Sequence, residues 1–214
     1  LFSPYDRTDP VLSSGGSLLT GNTADAFAAD LCVASGDVNS AALTLNAYSA
    51  GLFDVNHERT VYAKDIFTKR SPASITKVMT ALVALKYGNL DELVTVTSTA
   101  ADIEYGSSVC DIKEGEVYSL RQLLYGMMIA SGNDASVAMA EFIGGDEGTF
   151  VKMMNERAKG LGMEYTKFID CCGLTDSPEH VTTARDIALM SRELITKYPQ
   201  ITNYTTIWME ISLM

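Results

Sequence analysis

The 214-residue sequence predicts an α+β fold in which a short antiparallel hairpin is followed by helix after helix. Two observations carry this. Between Ala41 and Phe67, apolar and polar residues alternate on either side of the turn-like "DVNHE", the pattern of a half-buried β-hairpin. From Ser71 to Tyr198 the apolar period lengthens to that of helices, each bounded by capping residues or glycines. A lone hairpin is marginal in water, so further strands have to complete the sheet.

Taken in order, residues 1–40 read as a flexible lead-in rich in Ser, Gly, Thr and Asp, and residues 41–70 as the first sheet strands. Residues 71–200 read as a helical subdomain. Its first helix follows Pro72, carries Ile75, Val78, Met79, Leu82 and Leu85 along one stripe, and stops at Gly88. Ser119 and Gln122 have capping-box spacing ahead of "LLYGMMIA", a run whose spacing is that of core packing rather than of a partner groove. That helix breaks at Ser131–Asn133, and "DASVAMAEFIGG" resumes at once and ends on Gly144 and Gly145. "TFVKMMNERAKGLGM" forms another helix closing at Gly160 or Gly162, and Thr183 with Asp186 caps the last. Residues 201–214 read as the start of a return to the sheet.

A net charge of −11 excludes a nucleic-acid surface, which needs a basic stripe. The longest apolar run, about Val78–Leu85, is far short of a membrane span, and no membrane anchor is visible. The chain opens on Leu1 without a charged-then-apolar leader, so a processed or engineered form is expected. Cys32, Cys110, Cys171 and Cys172 lack zinc-ligand spacing, and neither metal nor cofactor is expected. Most of them read as half-buried thiols; a Cys32–Cys110 bridge is possible, and vicinal Cys171 and Cys172 are not expected to bridge each other. His57 and His180, the only histidines, sit in turn-like segments and read as surface residues.

The chemistry lies in "SPASITK". On a helix, residues i and i+3 share a face, so the Ser74 hydroxyl and the Lys77 amine can converge. A neutral lysine can take the serine proton, and apolar surroundings lower the lysine pKa towards neutrality. The helix N-terminus can add N–H groups for a developing oxyanion. The bland alternative is an N-terminal serine beside a solvated lysine. In "SGNDA", Ser131 could relay a proton and Asn133 could bind a substrate amide. The alternative there is a helix C-cap with Gly132 left-handed, followed by an Asn or Asp N-cap.

Together, "RSPASITKVMTALVAL" and "LLYGMMIASGNDASVAMAE" resemble the first two active-site motifs of the serine-type D-Ala-D-Ala carboxypeptidases, the low-molecular-mass penicillin-binding proteins. The likeness continues through "FVKMMNERAKGLGMEYTKFIDCCGL" and "HVTTARDIALMSREL", covering roughly Ala41 to Tyr198. The resemblance implies a β-lactamase/transpeptidase-like fold, an antiparallel sheet with an inserted helical subdomain. It also implies Ser74 as nucleophile, Lys77 as its base, and Ser131 and Asn133 in proton relay and substrate binding. The implied substrate is a peptidoglycan peptide ending in D-Ala-D-Ala, cleaved through an acyl-enzyme in the cell envelope outside the cytoplasm, with β-lactams trapped as slow adducts.

One family feature is not found: the third motif, Lys-Thr/Ser-Gly on a sheet strand. The expectation is therefore that the chain belongs to a longer protein, with that motif and the C-terminal sheet strands beyond Met214. Two rivals remain. A class A β-lactamase would need a Glu-x-x-Leu-Asn-like loop, where only Glu164 is present, and usually Asp at the position of Gly132. A non-catalytic peptidoglycan-binding member of the fold would tolerate the missing motif but not require Ser74, Lys77, Ser131 and Asn133.

Overall fold

The computed structural model describes residues 36–39, 42–57 and 59–207. Most of the expected lead-in, residues 41 and 58, and residues 208–214 lie outside them. The chain divides into two compact units. Of the described residues, the first holds those up to Arg70 with Glu156–Thr166 and Val181–Arg192; the second holds Ser71–Asn155, Lys167–His180 and those from Glu193 to 207.

In the first unit, β1 (Val38–Asn39), β2 (Ala50–Asp54) and β3 (Arg59–Lys64) form an antiparallel sheet in the order β1-β3-β2. The predicted hairpin is β2–β3. It is pinned by the Asp54 carboxylate, which accepts from the backbone N–H groups of Asn56 and His57 (3.2 and 3.1 Å). Its first strand starts at Ala50 rather than Ala41, and β1 supplies the third strand. Tyr62 and Ala63 of the central strand are buried. A single bridge between Arg70 and Thr182 closes this unit, and Asp186 accepts from the Tyr165 N–H and the Thr166 hydroxyl (2.9 and 2.8 Å). Thr183 caps the following helix by accepting from the Asp186 N–H (3.2 Å), but the Asp186 side chain does not reciprocate. The predicted capping box is thus half a box.

The second unit is built around α1 (Thr76–Tyr87), which packs against α4 (Asn133–Gly144); α4 in turn packs against α3 (Leu120–Ala130) and the short α2 (Ser98–Ala101). The longer α5 (Glu147–Gly160) and α6 (Ala184–Lys197) contribute residues to each unit, and α7 (Thr202–Thr205) ends the described chain. A two-stranded ladder, β4 (Leu93–Thr95) with β5 (Val117–Ser119), leads into α3. The Ser119–Gln122 capping box is formed as expected; Leu123, Leu124 and Met127 of "LLYGMMIA" are core, whereas Ile129 and Ala130 at its end are exposed.

Helix α1 departs from the expected one-sided stripe. Its residues are buried almost continuously from Thr76 to Ala84, polar ones included, whereas Ile75 is 45% exposed. It is a central helix, apolar on most sides, in which Thr76, Lys77 and Thr80 are the polar exceptions. No helix among the described residues is long and apolar enough to cross a membrane.

Candidate active site

Ser74 lies one turn earlier than the α-helix proper. A 3₁₀ turn, Ala73–Ile75, precedes α1, and Ala73 takes the left-handed conformation (φ 46°) that few residues other than glycine adopt. Gly173 explains how this turn is held. A Cβ on Gly173 would overlap the Ala73 carbonyl, and its own φ of 82° favours glycine. Two backbone segments therefore touch where Gly173 has no room for a side chain, and Ser74 is left exposed.

Lys77 follows one helical turn on and is only 4% exposed. Its Nζ lies within hydrogen-bonding distance of three oxygens: Ser74 Oγ at 3.1 Å, Asn133 Oδ1 at 2.7 Å and the Cys172 carbonyl at 3.0 Å. Burial depresses its pKa below the ordinary lysine value of 10.5, partly offset by the Cys172, Cys171 and Asp170 side chains. The solvated-lysine alternative is excluded by this burial.

The second cluster also converges on Ser74. The Ser131 hydroxyl donates to Ser74 Oγ at 3.1 Å. Ser131 itself is the left-handed residue ending α3 (φ 57°, ψ 33°), whereas Gly132 has φ −59°, so the expected left-handed glycine is corrected by one position. Glycine at 132 answers to space instead. A Cβ there would overlap the Cys110 sulfur and come within 2.9 Å of Asp134 Oδ1. All four residues singled out in the sequence, Ser74, Lys77, Ser131 and Asn133, are thus brought together.

Several supporting residues were not foreseen. Asp134, buried at the start of α4, accepts from the Cys110 N–H at 2.9 Å and the Ile112 N–H at 3.2 Å, while the Asn133 N–H donates to the Ser108 carbonyl at 2.9 Å. These bonds clamp the 108–112 loop over the Ser131 corner. On the other side, Asp170 accepts from the N–H groups of Cys172, Gly173 and Thr175 (3.1, 2.5 and 2.7 Å), and Thr80 Oγ1 donates to the Cys171 carbonyl. That ordering aims the Cys172 carbonyl at Lys77. The signal for Thr80 was in the sequence: a hydroxyl inside an otherwise apolar helix has to find a partner.

His180 corrects an expectation outright. Read as a surface residue, it is 1% exposed. Its Nδ1 accepts from the Ile169 N–H (3.0 Å), which leaves Nε2 as the protonated nitrogen, donating to Thr76 Oγ1 (2.7 Å). Both ring nitrogens are matched, so burial is tolerated, and burial depresses its pKa below 6.5. His57 is exposed, in the turn where it was placed.

Cys110 is a free, half-buried thiol, and its pKa is pushed up to about 11, first by burial and then by Asp134. Cys171 and Cys172 are free and fully buried rather than half-buried; Cys32 lies outside the described residues. No group of three or more His, Cys, Asp or Glu side chains among the described residues is arranged to hold a metal ion.

Chemically, an exposed hydroxyl in contact with a desolvated amine and a second hydroxyl is the arrangement that serine acyl transfer with a lysine as proton acceptor would need. A profile of the D-alanyl-D-alanine carboxypeptidase family matches residues 36–211, and the chain belongs to that family. It is 41% identical over 166 residues to the D-alanyl-D-alanine carboxypeptidase DacF of Bacillus subtilis, covering 76% of this chain and 42% of that protein. It is 35% identical over 198 residues to DacC of Escherichia coli, another D-alanyl-D-alanine carboxypeptidase, covering 88% and 48%. The crystal structure of DacD from Francisella tularensis superimposes with a TM-score of 0.72 at 35% identity, over 82% of this chain and 43% of that one. Penicillin-binding protein D2 of Listeria monocytogenes, solved in an ampicillin-bound form, gives 0.67 at 28%, over 77% and 68%. The chain thus has the β-lactamase-like fold of these enzymes and spans about half the length of the curated relatives it matches.

Proposed function

We propose that this chain carries the acylating half of a serine D-Ala-D-Ala carboxypeptidase site acting on peptidoglycan stem peptides in the cell envelope, outside the cytoplasm. The observation that carries the reading is the burial of Lys77 against Ser74, Asn133 and the Cys172 carbonyl. With the amine neutral, two N–H bonds go to Asn133 Oδ1 and the Cys172 carbonyl, and the lone pair faces the Ser74 hydroxyl. Ser74 Oγ attacks the carbonyl carbon of the D-Ala–D-Ala bond as its proton passes to Lys77. When the C–N bond breaks, Ser131 relays that proton to the departing D-Ala amine, and water then hydrolyses the ester. Because Asn133 Oδ1 receives Lys77, its amide NH₂ is the end turned to a substrate carbonyl. A β-lactam follows the same first step, but its leaving nitrogen stays tethered, which slows hydrolysis.

Against the β-lactamase alternative stands Gly132, where an Asp side chain has no space. Glu164 is exposed, and the rest of the Glu-x-x-Leu-Asn-like loop is not present around it. The test is intact-mass spectrometry after incubation with a penicillin. One adduct, mapped to Ser74 and lost in Ser74→Ala, is expected. A folded protein that stays unmodified at saturating penicillin would support the non-catalytic, peptidoglycan-binding alternative instead.

A further inference from the structure

Two nucleophilic side chains beside the site take no part in the proposed reaction. Cys171 and Cys172 are adjacent, reduced and 0% and 4% exposed. Their backbone forms the wall behind α1: the Cys171 carbonyl accepts from Thr80, the Cys172 carbonyl from Lys77, and the Cys171 N–H donates to Glu147 Oε1 at 3.1 Å. Two adjacent thiols buried at a wall that orients Lys77 can be filled only at that wall's expense.

A disulfide is not the natural product of such a pair. Successive Cα atoms across a trans peptide lie about 3.8 Å apart, shorter than the roughly 4.4–6.8 Å that disulfides span. A single atom inserted between the two sulfurs relaxes this constraint by enlarging the ring. We propose that Cys171–Cys172 is a second covalent site, selective for electrophiles that bridge two adjacent thiols, trivalent organoarsenicals being the type, and that filling it pulls the Cys172 carbonyl off Lys77.

The chemistry balances without a redox partner. The Cys172 sulfur adds to an arsenic oxide, forming an S–As bond and turning As=O into As–OH. The Cys171 sulfur then displaces that hydroxyl, closing the ring, and the two thiol protons and the oxygen leave as one water. Cys172 keeps the residual exposure and reacts first. A close-packed wall has no volume for an arsenic atom and its substituent, so the 170–173 segment has to move away from α1. Gly173 abuts the Ala73 carbonyl, so the Ser74 turn moves with it.

The test treats the native protein with phenylarsine oxide. Expected are one phenylarsenic bridge mapped to Cys171–Cys172, its loss in Cys172→Ala and Cys171→Ala, its persistence in Cys110→Ser, and its removal by a dithiol but not by a monothiol. Amide exchange over residues 74–80 should rise in the adduct, and penicillin acylation of Ser74 should fall by about tenfold or more. Adducts only on Cys32 or Cys110, adducts formed only after denaturation, or a bridge that leaves exchange over 74–80 unchanged would overturn the proposal. Only the acylation readout rests on the proposed function. Untreated protein that penicillin does not acylate defeats that function, while mass and exchange still decide the dithiol site.

Discussion

Lys77 stands between two walls that hold it by different means. The Ser131–Asp134 corner meets it with a side chain, the Asn133 amide, and fixes its own loop with the Asp134 carboxylate. The Asp170–Gly173 segment meets it with a backbone carbonyl and fixes itself through amides gathered on Asp170. Side chains are replaceable one at a time. A carbonyl cannot be mutated, so the second wall is vulnerable only through what shapes its backbone, and the two walls should fail differently.

The largest effect should come from the residue both walls serve. Lys77→Arg keeps a permanent charge, and penicillin acylation should drop by about 10²–10⁴-fold. In the unaltered protein the rate should climb with pH below 10.5 as Lys77 deprotonates, and the Arg variant should lose that rise, which a stopped-flow pH profile reads directly. Stability has the same sign. Between the depressed folded value and 10.5 the unfolded chain binds the extra proton, so stability from this group rises with pH across that window and is lost as pH falls through it.

Next in size is Gly173→Ala, where the new Cβ meets a backbone carbonyl at a left-handed residue. We expect a loss of about 3 kcal/mol or more by urea denaturation, with no second-site trimming able to restore it. Gly132→Ala sharpens the contrast. Its backbone tolerates any residue and its obstacle is a thiol, so the cost should be about 1–3 kcal/mol, and Cys110→Ala in the same chain should recover a measurable part in a double-mutant cycle. Full additivity would mean that the Cys110 sulfur is not what excludes the side chain.

Smallest is Thr80→Val, which removes the donor to the Cys171 carbonyl at nearly constant volume. It should cost about 1 kcal/mol of stability. If the wall steers Lys77, the acylation pH profile should shift as well; a stability loss with an unchanged profile would leave Thr80 a purely structural residue.

The contrast between the walls also explains what was legible beforehand. Ser74, Lys77, Ser131 and Asn133 meet through side chains, so the two motifs and the family resemblance they carry could locate them, and Ser119 and Gln122 cap α3 by their own chemistry. The Asp170–Gly173 wall acts through carbonyls, and Cys171 and Cys172 looked like packing thiols because nothing in a side chain records where its carbonyl points. His180 was misplaced for a related reason. A histidine among Pro, Glu and Thr reads as exposed until the Ile169 N–H and the Thr76 hydroxyl, distant in sequence, are seen to match its two nitrogens. Strands β4 and β5 have three residues each, too few to show an alternation.

The measurement that reaches the central claim most directly is an NMR titration of the Lys77 side-chain nitrogen in the ligand-free protein, assigned by Lys77→Arg. A midpoint clearly below the ordinary 10.5, moving when Asn133 is replaced by Ala, is expected. A midpoint at or above 10.5 would mean that the two walls hold an ammonium ion, and Lys77 could not be the base that activates Ser74.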